Sequence, residues 1–435
     1  MNRIKKILES PFVRNVTVLA TGTAAAQGVT FLLAPIITRV YGPEAYGLMG
    51  TFNSIISIIG PAAALTYPIA IVLPKSDYNA RGLIKLSLLF TTIIAVLSII
   101  ILTIFNNQII DTFNLNEISN YLFLIPIVVF FAGLLQVSEQ WLIRTKQFSI
   151  NARVTFFHSA IINGGKTGIG LIYPSAAVLV VLTALGDGLK ATLMILFAKK
   201  RKNKIGQGNK KQNEKEKRYN LKELAQKYIS FPLYRAPETF LNAISQSLPI
   251  LMLTAFFGPV SAGFYTLGRS VMGVPGQLIG KSIGDVFYPR IAEAANKKEK
   301  LTPIINKATL SLGVIGIVPF GLVILFGPSL FSFVFGSEWY VAGEYARWIA
   351  LWNFFGFMNR PSVRSLPVLN SLRFHLIYTI IMLVTRILLL AVGYYVFASD
   401  LIAIKLFGIS GAILNLGLIL ITMSISKRYD KSFNS

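Results

Sequence analysis

Residues 83–105 read LIKLSLLFTTIIAVLSIIILTIF, an apolar run whose single charge, Lys85, sits near its start. Roughly 20 such residues suffice for an α-helix to cross the hydrocarbon core of a bilayer, whereas a surface helix of a soluble protein would carry a polar face. The run has a basic end, with Arg81 before it, and an acidic end, with Asp111 after it. Further runs of similar length are predicted outward from it at 15–40, 46–73, 119–143, 154–172, 176–198, 229–256, 262–289, 308–327, 341–368, 374–397 and 402–425. Several contain Gly, Pro or a charge, so the assignment rests on their regular alternation and not on any one window. Of the 435 residues 54% are hydrophobic and only 14% charged, against about 25% charged in a soluble domain. Soluble enzymes, DNA-binding domains and disordered regulators are thereby poor fits. With no Cys, disulfides, thiolate metal ligands and thiol nucleophiles are excluded.

Charge tests the count of spans independently. The connections 41–45, 106–118, 173–175, 257–261, 328–340 and 398–401 hold Glu44, Asp111, Glu117, Glu338 and Asp400, and no Lys or Arg. The alternate connections hold thirty of the 42 basic residues, among them Arg3, Lys5, Lys6, Arg14, Lys75, Arg81, Arg144, Lys146, Arg153, Arg290, Lys307, Arg373 and Lys427. A wrong count would scramble this pattern, which follows the positive-inside rule. Both termini are therefore expected to face the cytoplasm. The first span, lacking an export cleavage site, is expected to be retained.

The longest basic connection separates six spans from six. It predicts an N-terminal lobe at 1–198, a basic cytoplasmic linker at 199–227 and a C-terminal lobe at 228–435. The clusters Lys199-Lys200-Arg201-Lys202 and Lys215-Glu216-Lys217-Arg218 read as a solvated topology anchor, with an RNA or anionic-lipid patch as the functional alternative. Across the linker a turn repeats. Tyr41-Gly42-Pro43-Glu44-Ala45-Tyr46-Gly47 and Phe257-Gly258-Pro259-Val260-Ser261-Ala262-Gly263 share aromatic-Gly-Pro and a Gly four places after the Pro, at an offset of 216. Each turn opens a span carrying Gly and Pro, Gly60-Pro61 in the second and Gly273 with Pro275-Gly276 in the eighth, which are candidate hinges or packing kinks. An even number of spans per half gives a parallel repeat about an axis along the membrane normal. The expected fold is an all-α polytopic membrane protein, twelve transmembrane helices in two six-helix bundles related by pseudo-twofold symmetry.

Thr38-Arg39-Val40-Tyr41-Gly42-Pro43-Glu44-Ala45-Tyr46-Gly47 resembles the first turn of bacterial polysaccharide flippases, the oligosaccharide-lipid translocases of the multidrug/oligosaccharidyl-lipid/polysaccharide exporter superfamily. Gly263-Phe264-Tyr265 with Pro275 and Val286-Phe287-Tyr288-Pro289 resembles their eighth helix, and Phe335-Gly336-Ser337-Glu338-Trp339 the loop before their tenth. The resemblance spans essentially the whole chain. It implies flipping of polyprenyl-pyrophosphate-linked oligosaccharide for a surface polysaccharide (O-antigen, capsule or exopolysaccharide), driven by an ion gradient of H+ or Na+, with no other cofactor. Membrane lipids are the surrounding partner and polysaccharide polymerase machinery a candidate one; no nucleic acid is expected.

Charges inside the spans are where the residues themselves speak about cargo. Arg39, Lys85, Lys166, Lys190, Arg235, Arg269, Lys281, Arg347, Arg360, Arg364, Arg386 and Lys405 outnumber Glu139, Asp187, Glu238, Asp285 and Glu344. Each central cation costs about 2.5–3.5 kcal/mol on insertion scales, so the excess calls for a wet cavity or an anionic occupant. Arg39, Lys85 and Lys405 can snorkel from span ends. Asp187–Lys190, Arg235–Glu238, Glu344–Arg347 and Lys281–Asp285 have helical spacing for local pairs. Lys166, Arg269, Arg360, Arg364 and Arg386 have no acid in such a register. At ~1.5 Å per residue, Arg269 and Arg386 fall roughly 10–15 Å below the outer ends of their spans. The expectation is an outer tier of cations, Arg269, Arg386 and Lys166, and an inner tier, Arg360, Arg364 and Arg235, with Lys190 as a further candidate, around a central cavity. Guanidinium forks suit phosphate oxygens; pairing with Glu139 or structural salt bridges are the alternatives. Glu139 is either the site of a coupling proton or cation or the partner of Arg144. Gln27, Asn163 and Tyr67 could meet sugar hydroxyls, interhelical bonding being the plainer role.

Signs of catalysis are thin. His158 and His375, the only histidines, sit in no metal-ligand spacing, and Gly165-Lys166-Thr167 lacks the earlier Gly and strand of a phosphate loop. No catalytic residue, metal site or enzymatic activity is expected. A multidrug cation antiporter of the same fold would want an acidic or aromatic interior, and a glycosyl polymerase a large loop; these are the alternatives.

Overall fold

The structure, a computed structural model, describes residues 11–204 and 217–431, with the backbone alone at 11–16, 19, 200–204, 275 and 277–286. Arg3, Lys5, Lys6, Lys215 and Glu216 lie outside the described residues, as do the side chains of Arg14, Lys200, Arg201, Lys202, Pro275, Lys281 and Asp285. The described residues contain no strand. The chain divides into two compact units, Met1–Leu251 and Met252–Ser435.

The first unit begins with α1 (Pro11–Ile59), which is helical on both sides of a break at Gly42, where φ is 68° and ψ 176°. A 3₁₀ turn at Gly60–Ala62 and the short α2 (Tyr67–Ala70) follow. Then come α3 (Asp77–Phe113), α4 (Ile125–Arg144), α5 (Phe148–Ile172), α6 (Ala176–Lys204) and α7 (Leu221–Lys227). A π-helical turn at Phe231–Arg235 leads into α8 (Ala236–Phe257), within which the first unit ends at Leu251. The second unit continues with α9 (Pro259–Asn296), α10 (Leu301–Phe335), α11 (Tyr340–Met358), α12 (Arg360–Ser365), α13 (Leu372–Tyr395) and α14 (Asp400–Lys431). Split at Gly42, α1 supplies two spans, and α3–α6, α8–α11, α13 and α14 bring the described spans to twelve, six on either side of the linker. This is an all-α, multi-pass membrane protein.

Among the described residues eight stretches are long and apolar enough to cross a membrane, the first of them, Ala20–Ala62, covering both spans of α1. The remaining bilayer-length helices, α5, α9 and α11, are more polar because they carry Lys166, Arg269 and the Glu344–Arg347 pair. Lipid-facing surface is plain on α10, where Val314, Ile317, Val318, Leu322 and Leu325 are each at least half exposed. In water that would be an aggregation hazard.

Helix ends follow local chemistry. Ser76 caps α3, its hydroxyl accepting from the Tyr78 amide at 3.1 Å, with Asp77 in the first turn. Asp430 caps α10 from the last helix, accepting from the Leu301 and Thr302 amides at 2.7 and 3.0 Å. Beyond the end of the eighth span, a hydrogen bond from Lys297 holds the Glu293 carboxyl below its usual range. The α10–α11 seam is built on small residues: a Cβ on Gly343 would fall 2.5 Å from the Gly327 carbonyl oxygen and from Pro328 Cα.

Candidate functional site

In the second unit two of the three residues expected as the outer tier, Arg269 and Arg386, lie within electrostatic reach of each other, while Lys166 belongs to the first unit. Arg386 lies on α13, its guanidinium 4.5 Å from the ring centroid of Trp352 on α11 and 5.8 Å from that of Phe407 on α14. Those two rings meet edge to face at 5.0 Å, and Phe407 packs in the same way on Tyr265 of α9 at 6.2 Å. Tyr265 and Arg269 are both within electrostatic reach of Arg386. Ring faces offer a desolvated cation about 0.5–2 kcal/mol, yet leave the in-plane N–H groups without acceptors. Arg386 Nε is buried and has no hydrogen-bond partner, and Arg386 makes no ion pair among the described residues. An unpaired guanidinium braced by aromatic rings, with a second arginine nearby, is suited to an oxyanion carrying more than one charge.

Arg360 opens α12 and Arg364 follows one turn later, on the same face and within electrostatic reach of it. The Arg360 guanidinium stands 5.7 Å from the Phe357 ring and close to Gly276 of α9. Neither makes an ion pair among the described residues. Arg347 is occupied otherwise: it bonds Glu344 at 3.1 Å and also donates to the carbonyls of Ile324 and Leu325, at 2.9 and 3.1 Å. Ile324 precedes Pro328 by four residues, so its carbonyl has lost its helical donor, and Arg347 replaces it.

In the first unit, Lys166 on α5 points its ammonium at Met49 Sδ, 3.6 Å away, while its carbonyl accepts from the Tyr41 hydroxyl at 2.7 Å. It makes no ion pair among the described residues. Met49 and Tyr265 are separated by the offset of 216 that relates the two turns. A fifth-span cation on the second span therefore has its counterpart in an eleventh-span cation beside the eighth. The turns themselves agree in backbone: Gly258 has φ 88° and ψ 177°, nearly the values at Gly42.

Two local pairs do form as expected, Arg235–Glu238 at 2.9 Å and Glu344–Arg347. Both partners of the former are exposed, and Arg235 ends the π-helical turn. Lys190 does not take Asp187. Because α4 packs along α6, Lys190 reaches across to Glu139 at 2.8 Å, with Asp187 within electrostatic reach of both. Arg144 is correspondingly not the partner of Glu139. It binds Asp77 at 2.9 Å and the carbonyls of Ile71 and Pro74 at 3.1 and 2.6 Å, tying down the connection after the second span. Asn163 bonds Thr30 and Ser159 between α5 and α1, an interhelical role, and the Tyr67 hydroxyl donates to the Ala225 carbonyl.

The candidate hinges differ from each other. At Gly60-Pro61 the helix gives way to the 3₁₀ turn, and Gln136 donates to the Gly60 carbonyl at 2.7 Å. At Gly273 and Pro275 the backbone of α9 remains helical throughout. Missed at the sequence level were the aromatic partners of Arg386. The two tryptophans of span ten, Trp348 and Trp352, one turn apart, were the available signal.

Residues 36–344 match the sequence model of a family described as polysaccharide biosynthesis protein. No curated protein sequence matches the chain. Among solved structures, a multidrug resistance MATE family transporter of the MOP superfamily, inward-facing, is similar with a TM-score of 0.72 at 14% identity, over 93% of this chain and 96% of its own. The lipid II flippase MurJ, in an inward closed conformation, gives 0.68 at 14% identity over 96% and 90%. A MOP superfamily transporter from Pyrococcus furiosus gives 0.61 at 12% identity over 97% and 96%. With more than half its length covered by the family's own model and its fold shared with these transporters, the chain belongs to the polysaccharide biosynthesis protein family and has the fold of the MOP superfamily.

Proposed function

We propose that the protein is a flippase that carries polyprenyl-pyrophosphate-linked oligosaccharide repeat units from the cytoplasmic to the outer leaflet of the bacterial inner membrane, by alternating access and without a chemical step. The observation that carries this reading is Arg386: a membrane arginine braced by Trp352 and Phe407, with Arg269 near and no carboxylate on it among the described residues. Such a site needs an anion from elsewhere, and a pyrophosphate headgroup supplies one. Family membership ties the cargo to polysaccharide biosynthesis, and one protein of the same fold is named a lipid II flippase. A cationic drug would be repelled by the same arginines.

Lys166, Arg360 and Arg364 are further cationic candidates for the headgroup and sugar-phosphate oxygens; Lys190 and Arg235, each holding an acid, are weaker ones. The driving ion, H+ or Na+, we place at Glu139 and its neighbour Asp187, since one lysine cannot neutralise two carboxylates. Both termini and the basic linker lie in the cytoplasm on this reading, as positive charge requires. Polymerase machinery takes the product.

Deletion of the gene tests it. Lipid-linked repeat units should accumulate on the cytoplasmic side while surface polysaccharide disappears. Accumulation on the outer side would make the protein a polymerase, and no accumulation would make it an exporter of something else.

A further inference from the structure

The basic linker is a docked element where it is described. Asn79, 1% exposed, holds its backbone from both sides, donating to the Lys217 carbonyl and accepting from the Tyr219 amide, each at 3.0 Å. Asn220 and Glu223 then form a reciprocal cap that starts α7. Leu224, 1% exposed, plugs α7 into a cluster with Tyr67, Leu83 and Leu86. The Tyr67 hydroxyl donates to the Ala225 carbonyl at 3.2 Å and the Thr66 hydroxyl to the Phe231 carbonyl at 3.0 Å. α7 is thus fixed against the first turns of α3, at the level where a membrane helix begins.

Its outward side is cationic and aromatic. Lys217, Arg218, Lys222 and Lys227 are exposed, and Arg81 and Lys85 are exposed on the adjoining turns of α3. Tyrosine faces position several of them: Arg218 lies 5.3 Å from the Tyr78 ring, and Lys217 and Lys227 lie 5.5 and 4.2 Å from that of Tyr219. Leu221 and Ile229 are exposed beside them. The nearby acids are engaged, Glu223 in the cap at 2.8 Å from the Asn220 amide and Asp77 with Arg144. Lys217, Arg218 and Lys222 make no ion pair among the described residues.

A topology anchor needs positive charge only, and a solvated loop provides it. Backbone docking, tyrosine-braced cations and exposed aliphatic side chains at a helix end are the attributes of an interfacial lipid-binding element. We propose that Lys217–Lys227, with Arg81 and Lys85, forms a binding site for the phosphodiester headgroup of an anionic phospholipid in the adjoining leaflet. The site is independent of the cargo reading.

Native mass spectrometry of the purified full chain, equilibrated with equal phosphatidylglycerol and phosphatidylcholine, tests it. Phosphatidylglycerol should be retained preferentially. Each cation near an anionic surface is worth about fivefold in binding, so the variant carrying K217Q, R218Q, K222Q and K227Q should lose retention by about tenfold or more. The charge-preserving variant with K217R, K222R and K227R should keep it, and so should one with K297Q, K298Q and K300Q at a different basic turn. Circular dichroism melts of all variants confirm that each is folded, and the single K222Q change, expected at about fivefold, serves should the fourfold variant not be. Equal retention in the Gln variants, an equal loss in the control, displacement by millimolar inorganic phosphate, or preference for an RNA oligonucleotide would each overturn the proposal.

Discussion

Arg347 and Arg386 stand at comparable depth in the same unit and do different work. Arg347 has three acceptors, two of them carbonyls one turn before Pro328 in α10, and is therefore structural. Hydrogen bonds from a charged donor contribute about 1.5–3 kcal/mol each, less where the group is partly exposed. Arg347→Lys, which can keep Glu344 but not the fork to both carbonyls, should lower stability by about 2 kcal/mol, and Arg347→Gln by more, read as a shift in detergent melting temperature. An unshifted Arg347→Lys melt would mean that the carbonyl contacts carry no weight. Arg386 has ring faces instead of acceptors. Arg386→Gln should cost only about 0.5–2 kcal/mol of stability, while surface polysaccharide is lost from the producing strain. Normal polysaccharide with a folded Arg386→Gln protein would remove Arg386 from the cargo site. Sequence alone could list both arginines, and it offered Glu344 for Arg347 because helical spacing decides that pair. It could not tell which arginine the Ile324 carbonyl, freed by Pro328, would claim, since that depends on which helix packs alongside.

At the scale of elements, the two aromatic-Gly-Pro turns are the best-read feature of the chain. Gly42 and Gly258 share a conformation, φ of 68° and 88° with ψ near 176°, that a side chain meets with strain of about 1–3 kcal/mol. Gly42→Ala and Gly258→Ala should each destabilise by that amount. Gly28→Ala, on a helix with open space around the new Cβ, should instead be neutral or stabilising by up to about 1 kcal/mol. If all three variants melt together, the turns are not under backbone constraint. Equivalent sequence gave equivalent turns because glycine and proline act on their own backbone. The Gly-Pro pairs further along obey a different rule. Gly60-Pro61 breaks its helix, where Gln136 captures the Gly60 carbonyl and Leu65 and Thr66 turn left-handed, whereas α9 stays helical through Gly273 and Pro275. Membrane helices tolerate proline when neighbours re-satisfy the freed backbone, so the outcome lies with those neighbours. Lys190 choosing Glu139 over Asp187 is the same lesson in side chains.

For the whole molecule, charge and span number together predict which ends of the helices face which compartment, and the chain is convenient for testing this because it contains no cysteine. Asn116 and Glu338 are exposed in acidic connections, and Lys222 and Lys300 are exposed in basic ones. Single cysteines at these four places provide a complete test. In intact cells a membrane-impermeant maleimide should label Asn116→Cys and Glu338→Cys, and should reach Lys222→Cys and Lys300→Cys only after the membrane is opened. The comparison of Asn116 with Glu338 is a parity check: α4, α5, α6, α8, α9 and α10 lie between them, so an even number of crossings returns the chain to the same side. One missing span, α5 or α9 being the most polar, would put the two positions on opposite sides. Labelling of Lys222→Cys and Lys300→Cys alone would keep the count but invert the molecule, placing its excess positive charge against the rule that orients other membrane proteins. In that case the docked α7 would face the outer leaflet, and cargo would have to enter from the side where it is meant to leave.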